Sequence, residues 1–310
     1  MANFSQKVSF ELIGFSEVPE NYNLVLSFVM FTTYIITVVA NGTVILLILV
    51  SHHLHQPMYI FIANLALSDL LFDNITLPKI IAKYWFSAGR MSFLECFVQM
   101  FLVHCFGSLD SLILMVMACD RYVAICKPLR YSSIVTPRVT TISCSICWLL
   151  AMASVFPMLI LMAQLSFPVQ AKVFSCFCTT SALLRLASGE VTKTREILLI
   201  IALWILLTPL AIILLSYIII IITMHLSGFS SSWQKVLYTC STHLVVISLY
   251  YIPRIFVYIS NYAKLILQSD INLLILCIYS YLPHIANPII YCLRTEEIKK
   301  TFRKRMGLTE

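Results

Sequence analysis

Ionisable side chains standing inside long apolar runs are the chemically informative part of this sequence. Asp69 and Asp110 fall near the middle of two such runs, Asp120–Arg121 ends the second of them, and Arg254 sits in a later one. A carboxylate in hydrocarbon costs about 2.5–3.5 kcal/mol on insertion scales unless it is protonated, paired or hydrated. Asp69 and Asp110, with Asn41, Ser68 and Asn287, are therefore expected to line one polar pocket, where the two acids can share a proton. Arg254 has no acid at its own depth, because Glu196 and Asp270 lie at the ends of runs. A guanidinium left over in this way suits a bidentate contact with a carboxylate ligand, with His104 assisting. The alternative is that Arg254 snorkels outward past the five residues to Ile259, about 7–8 Å at helical rise. Asp120 can hold the neighbouring Arg121 guanidinium at the end of its run.

Helical spacing groups further polar residues around Arg254. His104, Gly107, Ser108 and Ser111 follow the i, i+3, i+4, i+7 pattern of one helix face, and Tyr251, Arg254 and Tyr258 share a face of another. These seven form the candidate ligand site. Nucleophilic catalysis is not expected: Ser108 and His243 belong to opposite ends of a bundle, and no Gly-x-Ser-x-Gly occurs. The His52, His53, His55 group follows the first run in a short turn and is not read as a metal site. The chain is read as a binding protein and not an enzyme.

The elements that must position these residues are membrane-spanning helices. Of 310 residues, 60% are hydrophobic and only 11% charged, with a mean hydropathy of +0.91, too few charges to cover a water-facing surface. Seven stretches reach the roughly 20 residues a spanning helix needs, at about 24–50, 58–82, 96–125, 139–163, 197–224, 235–259 and 271–293. The reading is an all-α membrane protein, one seven-transmembrane helix bundle over residues 1–310. The formal charge of +7 marks membrane-surface electrostatics, not nucleic acid.

Residues 1–23 are polar and carry a glycosylation sequon at Asn3, which places the N-terminus outside; residues 294–310 are basic, with Ile298 and Phe302 four apart. That tail reads as a short amphipathic helix on the inner leaflet, contacting membrane lipids, with the C-terminus inside. Most of the eleven cysteines lie in apolar runs; Cys96, Cys176 and Cys178 border polar, loop-like sequence and admit at most one or two disulfides. The one long connection, residues 164–196, is on the outer side.

Four extended motifs accompany the seven runs in order: Leu54-His55-Gln56-Pro57-Met58-Tyr59, Met117-Ala118-Cys119-Asp120-Arg121-Tyr122 through Tyr131, Lys235 through Leu244, and Pro283-His284-Ile285-Ala286-Asn287-Pro288-Ile289-Ile290-Tyr291. With seven spans they resemble rhodopsin-like G-protein-coupled receptors, and in their extended forms the odorant receptors. The likeness runs from about Phe10 to Arg305. It implies a receptor at the plasma membrane, in sensory cilia if olfactory, that binds a small odorant in the outer half of the bundle. It also implies activation of a heterotrimeric G protein of the olfactory, stimulatory type, raising cAMP. By the same resemblance Asp120, Arg121, Tyr122, Tyr217 and Tyr291 form the switch at the inner end, and Tyr251 senses activation below the ligand. Asp69 and Asp110 with Asn41 and Asn287 hold a sodium ion or water, no other cofactor being implied. Cys96 pairs with Cys178. A second bridge often found within the family's long loop is missing, since Pro168 and Ser188 stand at its positions, so Cys176 is a free thiol or takes another partner. No acid lies near Val103 and His104, where amine receptors carry one, and no Lys lies in 271–293 for retinal. A receptor for another small ligand and a multispan transporter are the alternatives. The absence of matching Gly/Pro-broken helices in two halves counts against the transporter.

Overall fold

The computed structural model describes residues 8–226, 233–262 and 269–305. Seven helices are long and apolar enough to cross a membrane: α1 (Asn23–Val50), α2 (Pro57–Phe86), α3 (Phe93–Cys126), α5 (Pro137–Ala163), α7 (Thr192–Leu226), α8 (Trp233–Tyr262) and α9 (Ser269–Arg294). Between them lie the short helices α4 (Tyr131–Ile134) and α6 (Thr180–Leu184), and α10 (Glu296–Arg305) follows.

Local chemistry sets several of the starts. Pro57 and Pro137 open α2 and α5, where a missing N–H is harmless and φ is preset for a helix. Ser92 caps α3 through a capping box: its Oγ accepts the Glu95 N–H at 3.2 Å, while the Glu95 carboxylate accepts the Ser92 N–H at 2.6 Å. Ser92→Ala should lower unfolding stability by about 0.5–2 kcal/mol, read as a reduced Tm of detergent-solubilised protein, with Ser92→Asp close to the parent. Equal Tm values for parent and Ala variant would show that the cap is not limiting.

α3 is the inner axis. Of its most apolar window 61% is buried, against 22% for α7 and 28% for α1, whose Leu24, Phe28, Leu46 and Leu49 face outward with Trp204 and Leu214 of α7. Lipid replaces a protein neighbour on those faces, so exposed apolar residues there are expected.

A small sheet covers the outer end, an addition the sequence reading does not foresee. β1 (Ser9–Leu12) pairs antiparallel with β2 (Arg90–Ser92) and parallel with β3 (Gln170–Val173), with Phe10 opposite Met91 and Ala171. Alternate residues Phe10 and Leu12 are buried against Cys96, Met100, Met158 and Val173. The polar N-terminal segment is thus docked from Ser9 onward, and Asp270 at the start of α9 accepts the Ser16 and Glu17 N–H groups at 2.9 and 2.8 Å. The long outer connection is likewise folded, carrying β3 and α6, and its last residues already belong to α7. At the opposite end α10 buries Ile298, and His53 Nε2 meets Thr301 Oγ1 at 2.8 Å. His53 therefore anchors the basic helix.

Candidate ligand cavity and signalling end

Beneath the outer cap lies a cavity of about 420 Å³, within the usual range for small-molecule sites. Six of the seven expected ligand residues line it: His104, Gly107, Ser108 and Ser111 from α3, and Arg254 and Tyr258 from α8. Tyr251 does not. Its hydroxyl hydrogen-bonds Ser111 Oγ and its ring is buried, so it lies between α3 and α8 behind the wall, and the neighbouring Tyr250 lines the cavity instead. The reason is helical register: Tyr250 at i−4 and Tyr251 at i−3 lie on opposite sides of Arg254, about 100° apart, and the cavity is on the Tyr250 side.

Arg254 points inward and does not snorkel. Its guanidinium carbon lies 3.6 Å from the Tyr250 ring centroid and 5.7 Å from that of Tyr279. A Cβ added at Gly107 would stand 3.8 Å from Arg254 Nη2, so the guanidinium rests against this bare stretch of α3. Two aromatic faces hold the cation by charge–quadrupole attraction, and its buried Nη1 has no hydrogen-bond partner among the described residues. None of the described lining residues is Asp or Glu, while Arg185 and Arg195 stand exposed at the rim. His104 Nε2 is 2.7 Å from Thr180 Oγ1 of α6, which ties the outer loop to α3 beside the cavity, and Ser108 Oγ lies 3.2 Å from Ser154 Oγ. The loop is also bridged to α3 by a Cys96–Cys178 disulfide.

Deeper in the bundle the expected polar pocket exists but is larger. Asp69 and Asp110 are joined by Asp73 and by His284, which stands between α2's acids: Nδ1 is 2.8 Å from Asp73 Oδ1 and Nε2 is 3.4 Å from Asp69 Oδ1. All four are buried. Asn287 Nδ2 donates to Asp69 Oδ2 at 3.0 Å. Pro288 has no N–H to offer the carbonyl four residues back, at His284, and Asn41 Nδ2 of α1 donates to that carbonyl at 3.0 Å. Asn41 Nδ2 thus repairs the proline break, while its buried Oδ1 has no hydrogen-bond partner among the described residues.

Sodium, as a hard cation, requires an oxygen cage. Asp69, Asp110 and His284 can each bring one ligand atom within 4.8 Å of the others, but one of those three is an imidazole nitrogen. An imidazolium donates from both nitrogens, whereas a neutral ring could serve only one of its two carboxylates. Buried oxygens of Asn41, Asp69, Asp73, Asp110 and Asn287 have no hydrogen-bond partner among the described residues, and His284 stands among the acids as an internal counter-cation.

At the inner end the expected Asp120–Arg121 pair is not formed. Asp120 accepts the Tyr131 hydroxyl at 2.8 Å, so α4 takes the place of the arginine, and buried Arg121 Nε has no partner among the described residues. Consecutive positions on a helix diverge by about 100°, which aims Asp120 at α4 and Arg121 elsewhere. Arg121 acts electrostatically on Tyr217, Tyr291 and His243. The hydroxyls of Tyr217 and Tyr291 are buried without partners among the described residues, and the His243 and Tyr291 ring centroids are 6.3 Å apart. Tyr122 carries the Lys127 ammonium 5.9 Å from its ring centroid. Leu129, 98% exposed beside α4, is an apolar side chain with no cover of its own. Asn3 lies outside the described residues.

Fold and site together define a seven-helix receptor: a ligand cavity under an outer cap, a buried polar cluster, and at the far end an arginine with no ion-pair partner among the described residues. Squid rhodopsin has the same fold, with a TM-score of 0.71 at 18% identity over 94% of this chain and 87% of that one. The olfactory receptor family profile matches residues 30–308. Relatives include olfactory receptor 12D1 of Homo sapiens, 32% identical over 99% of this chain and 95% of its own length, and olfactory receptor 2H2 of Homo sapiens, 35% identical over the full length of both. Olfactory receptor 1M1 of Mus musculus is 34% identical over 97% of this chain and 96% of its own length. The chain belongs to the olfactory receptor family, and is therefore an odorant receptor, not an enzyme.

Several residues of the site escape sequence reasoning. Tyr279 and Phe177 contribute aromatic walls, and their types alone do not separate cavity from packing. His284 and Asp73 carried a usable signal: each is an ionisable group in an apolar run, and a buried histidine opposite buried acids has a ready partner.

Proposed function

We propose that this receptor recognises a small anionic odorant, a carboxylate above all, on Arg254. The single observation that carries this reading is a guanidinium stacked on Tyr250, with the Tyr279 ring 5.7 Å away, in a cavity with no acid in its described lining and with one buried nitrogen lacking an acceptor among the described residues. A carboxylate accepts two parallel N–H bonds from such a fork. His104 and Ser108 offer further polar atoms on the facing helix, and the apolar side chains Val103, Leu198 and Ile205 take the hydrocarbon part. Exposed Arg185 and Arg195 at the mouth attract the same charge before it binds.

The ligand acts where α3 and α8 are already joined. Tyr250 donates its hydroxyl to the Gly107 carbonyl, and Tyr251 bonds Ser111 one turn deeper. A ligand that draws on Arg254 loads both contacts, and it favours signalling to the extent that it binds one arrangement of the two helices better than the other. At the inner end Arg121 has no ion-pair partner among the described residues and acts electrostatically on Tyr217 and Tyr291, so it is the group we assign to the G-protein contact, with Asp120 and Tyr122 flanking it. The partner is a heterotrimeric G protein of the olfactory, stimulatory type. We place the receptor in the plasma membrane of sensory cilia, N-terminus outside and glycosylated at Asn3. His284 supplies the cation for the acid pocket, so a resident sodium ion is not required.

The test is a cAMP assay in transfected cells with carboxylic acids, alcohols and amines of matched carbon skeleton. Acids are expected to activate at concentrations where the alcohols and amines do not. Arg121→Ala should abolish the response with surface receptor unchanged. Equal responses to acids and alcohols would overturn the ligand class, and a normal cAMP rise in Arg121→Ala would overturn the role of Arg121.

A further inference from the structure

Nine cysteines among the described residues are unbridged, and two of them face each other. Cys176 in the outer loop and Cys277 in α9, 101 residues apart in sequence, bring their sulfurs to 3.3 Å. Cys176 is fully buried and Cys277 half-buried. A disulfide needs sulfurs near 2.0 Å, so closing this gap takes a side-chain adjustment of little more than 1 Å. Both residues are at the outer end of the bundle, where the surroundings are oxidising and such bonds persist.

We infer that Cys176 and Cys277 form a second disulfide, tying the roof of the ligand cavity to α9. The bond forms by exchange with an external disulfide of the glutathione or disulfide-oxidoreductase class. Two thiols lose two protons and two electrons to become one S–S bond, and the external disulfide takes both to become two thiols. The contact with Cys277, and then burial, hold the Cys176 thiol well above its ordinary pKa in the closed fold. Exchange, which needs a thiolate, therefore belongs to folding, before the loop seats.

The geometry gives the bond a task. Phe177 lies between Cys176 and Cys178, lines the cavity and meets the rings of Phe72 and Tyr281 edge-on at 5.7 and 6.2 Å. With Cys178 bridged to α3 and Cys176 to α9, Phe177 is held from both sides. The loop carries Ser188 and Pro168 where a bridge inside the loop would otherwise stiffen it, and Ser188 makes only a backbone pairing with Ser166. The link to α9 takes over that role.

The test uses the full-length receptor from the cell surface, alkylated with N-ethylmaleimide while denatured and digested with trypsin before any reduction. Cleavage at Arg90, Arg121, Lys172, Arg185, Lys264 and Arg294 leaves Cys96, the Cys176–Cys178 pair and Cys277 on peptides 91–121, 173–185 and 265–294. The expected product is one species joining all three peptides, with fragmentation placing the third link at Cys277 and not Cys292. Cys277→Ser should reduce it to a two-peptide species in which Cys176 carries the label. Wild-type receptor yielding the two-peptide species, with Cys176 and Cys277 both alkylated, would overturn the proposal, as would a bond from Cys96 to Cys176. The place of Phe177 in a ligand site rests on the cavity reading above; the peptide masses do not, so the two fail separately.

Discussion

Replacing Arg254 by Ala should weaken a carboxylic-acid agonist about 100- to 1,000-fold in EC50. A hydrogen bond to a charged group contributes about 1.5–3 kcal/mol; taken near the lower end for each bond, a two-bond fork is about 3–4 kcal/mol, and each 1.4 kcal/mol is tenfold in affinity. Arg254→Lys keeps the charge and loses the fork and the stacked plane against Tyr250, so it should fall between parent and Ala. Neutral ligands of the same skeleton should change little or gain, because an empty guanidinium no longer has to be covered. Surface receptor is counted in parallel, since Arg254 also packs on Tyr250 and Tyr279. If the Ala variant reaches the surface and responds to acids with unchanged EC50, Arg254 is not the anion site.

Arg254 shows what a sequence can and cannot convey about such a site. Its depth, and the lack of an acid at that depth, follow from counting along a helix. Its direction does not, because snorkelling and inward stacking differ only in what neighbouring helices offer. Tyr250 and Tyr279 decide the matter by flanking the guanidinium, and they come from positions whose register toward one another no single-helix pattern encodes. The same limit explains Tyr251: a face drawn over Tyr251, Arg254 and Tyr258 is about 60° wide, and the cavity uses the side of it nearer Tyr250. Asp120 is a further case, since its partner Tyr131 comes from a short helix with no strong pattern of its own.

The seven helices, by contrast, are legible because lipid demands long uninterrupted apolar runs, and a requirement that coarse survives any detail of packing. The outer sheet is illegible for the opposite reason. Three strands of three or four residues depend on pairing partners some 80 and some 160 positions apart in sequence, Ser9 with Ser92 and Ser9 with Gln170, and little in Ser9–Leu12 marks it as a strand before those partners are known.

The acid pocket yields the other large effect. Removing His284 leaves Asp69, Asp73 and Asp110 buried together without their cation, and breaking a buried ion pair from one side costs about 3–5 kcal/mol. His284→Ala should therefore lower surface receptor and the Tm of purified protein severely. Adding Asp73→Asn should restore part of the loss, because it removes one of the uncompensated charges while keeping the side-chain shape. Sodium discriminates the two accounts of the pocket. If the imidazole is the counter-cation, the parent Tm should be the same in sodium chloride and in choline chloride at equal ionic strength. In His284→Ala the vacated space is bounded by carboxylate oxygens, the ligands a hard cation takes, so sodium should raise that variant's Tm while choline does not. A sodium-specific rise in the parent would mean that the ion binds beside His284 and that the histidine is a ligand or bystander. The comparison does not depend on the odorant, and it ties receptor stability to one buried ring on α9 set against two acids on α2.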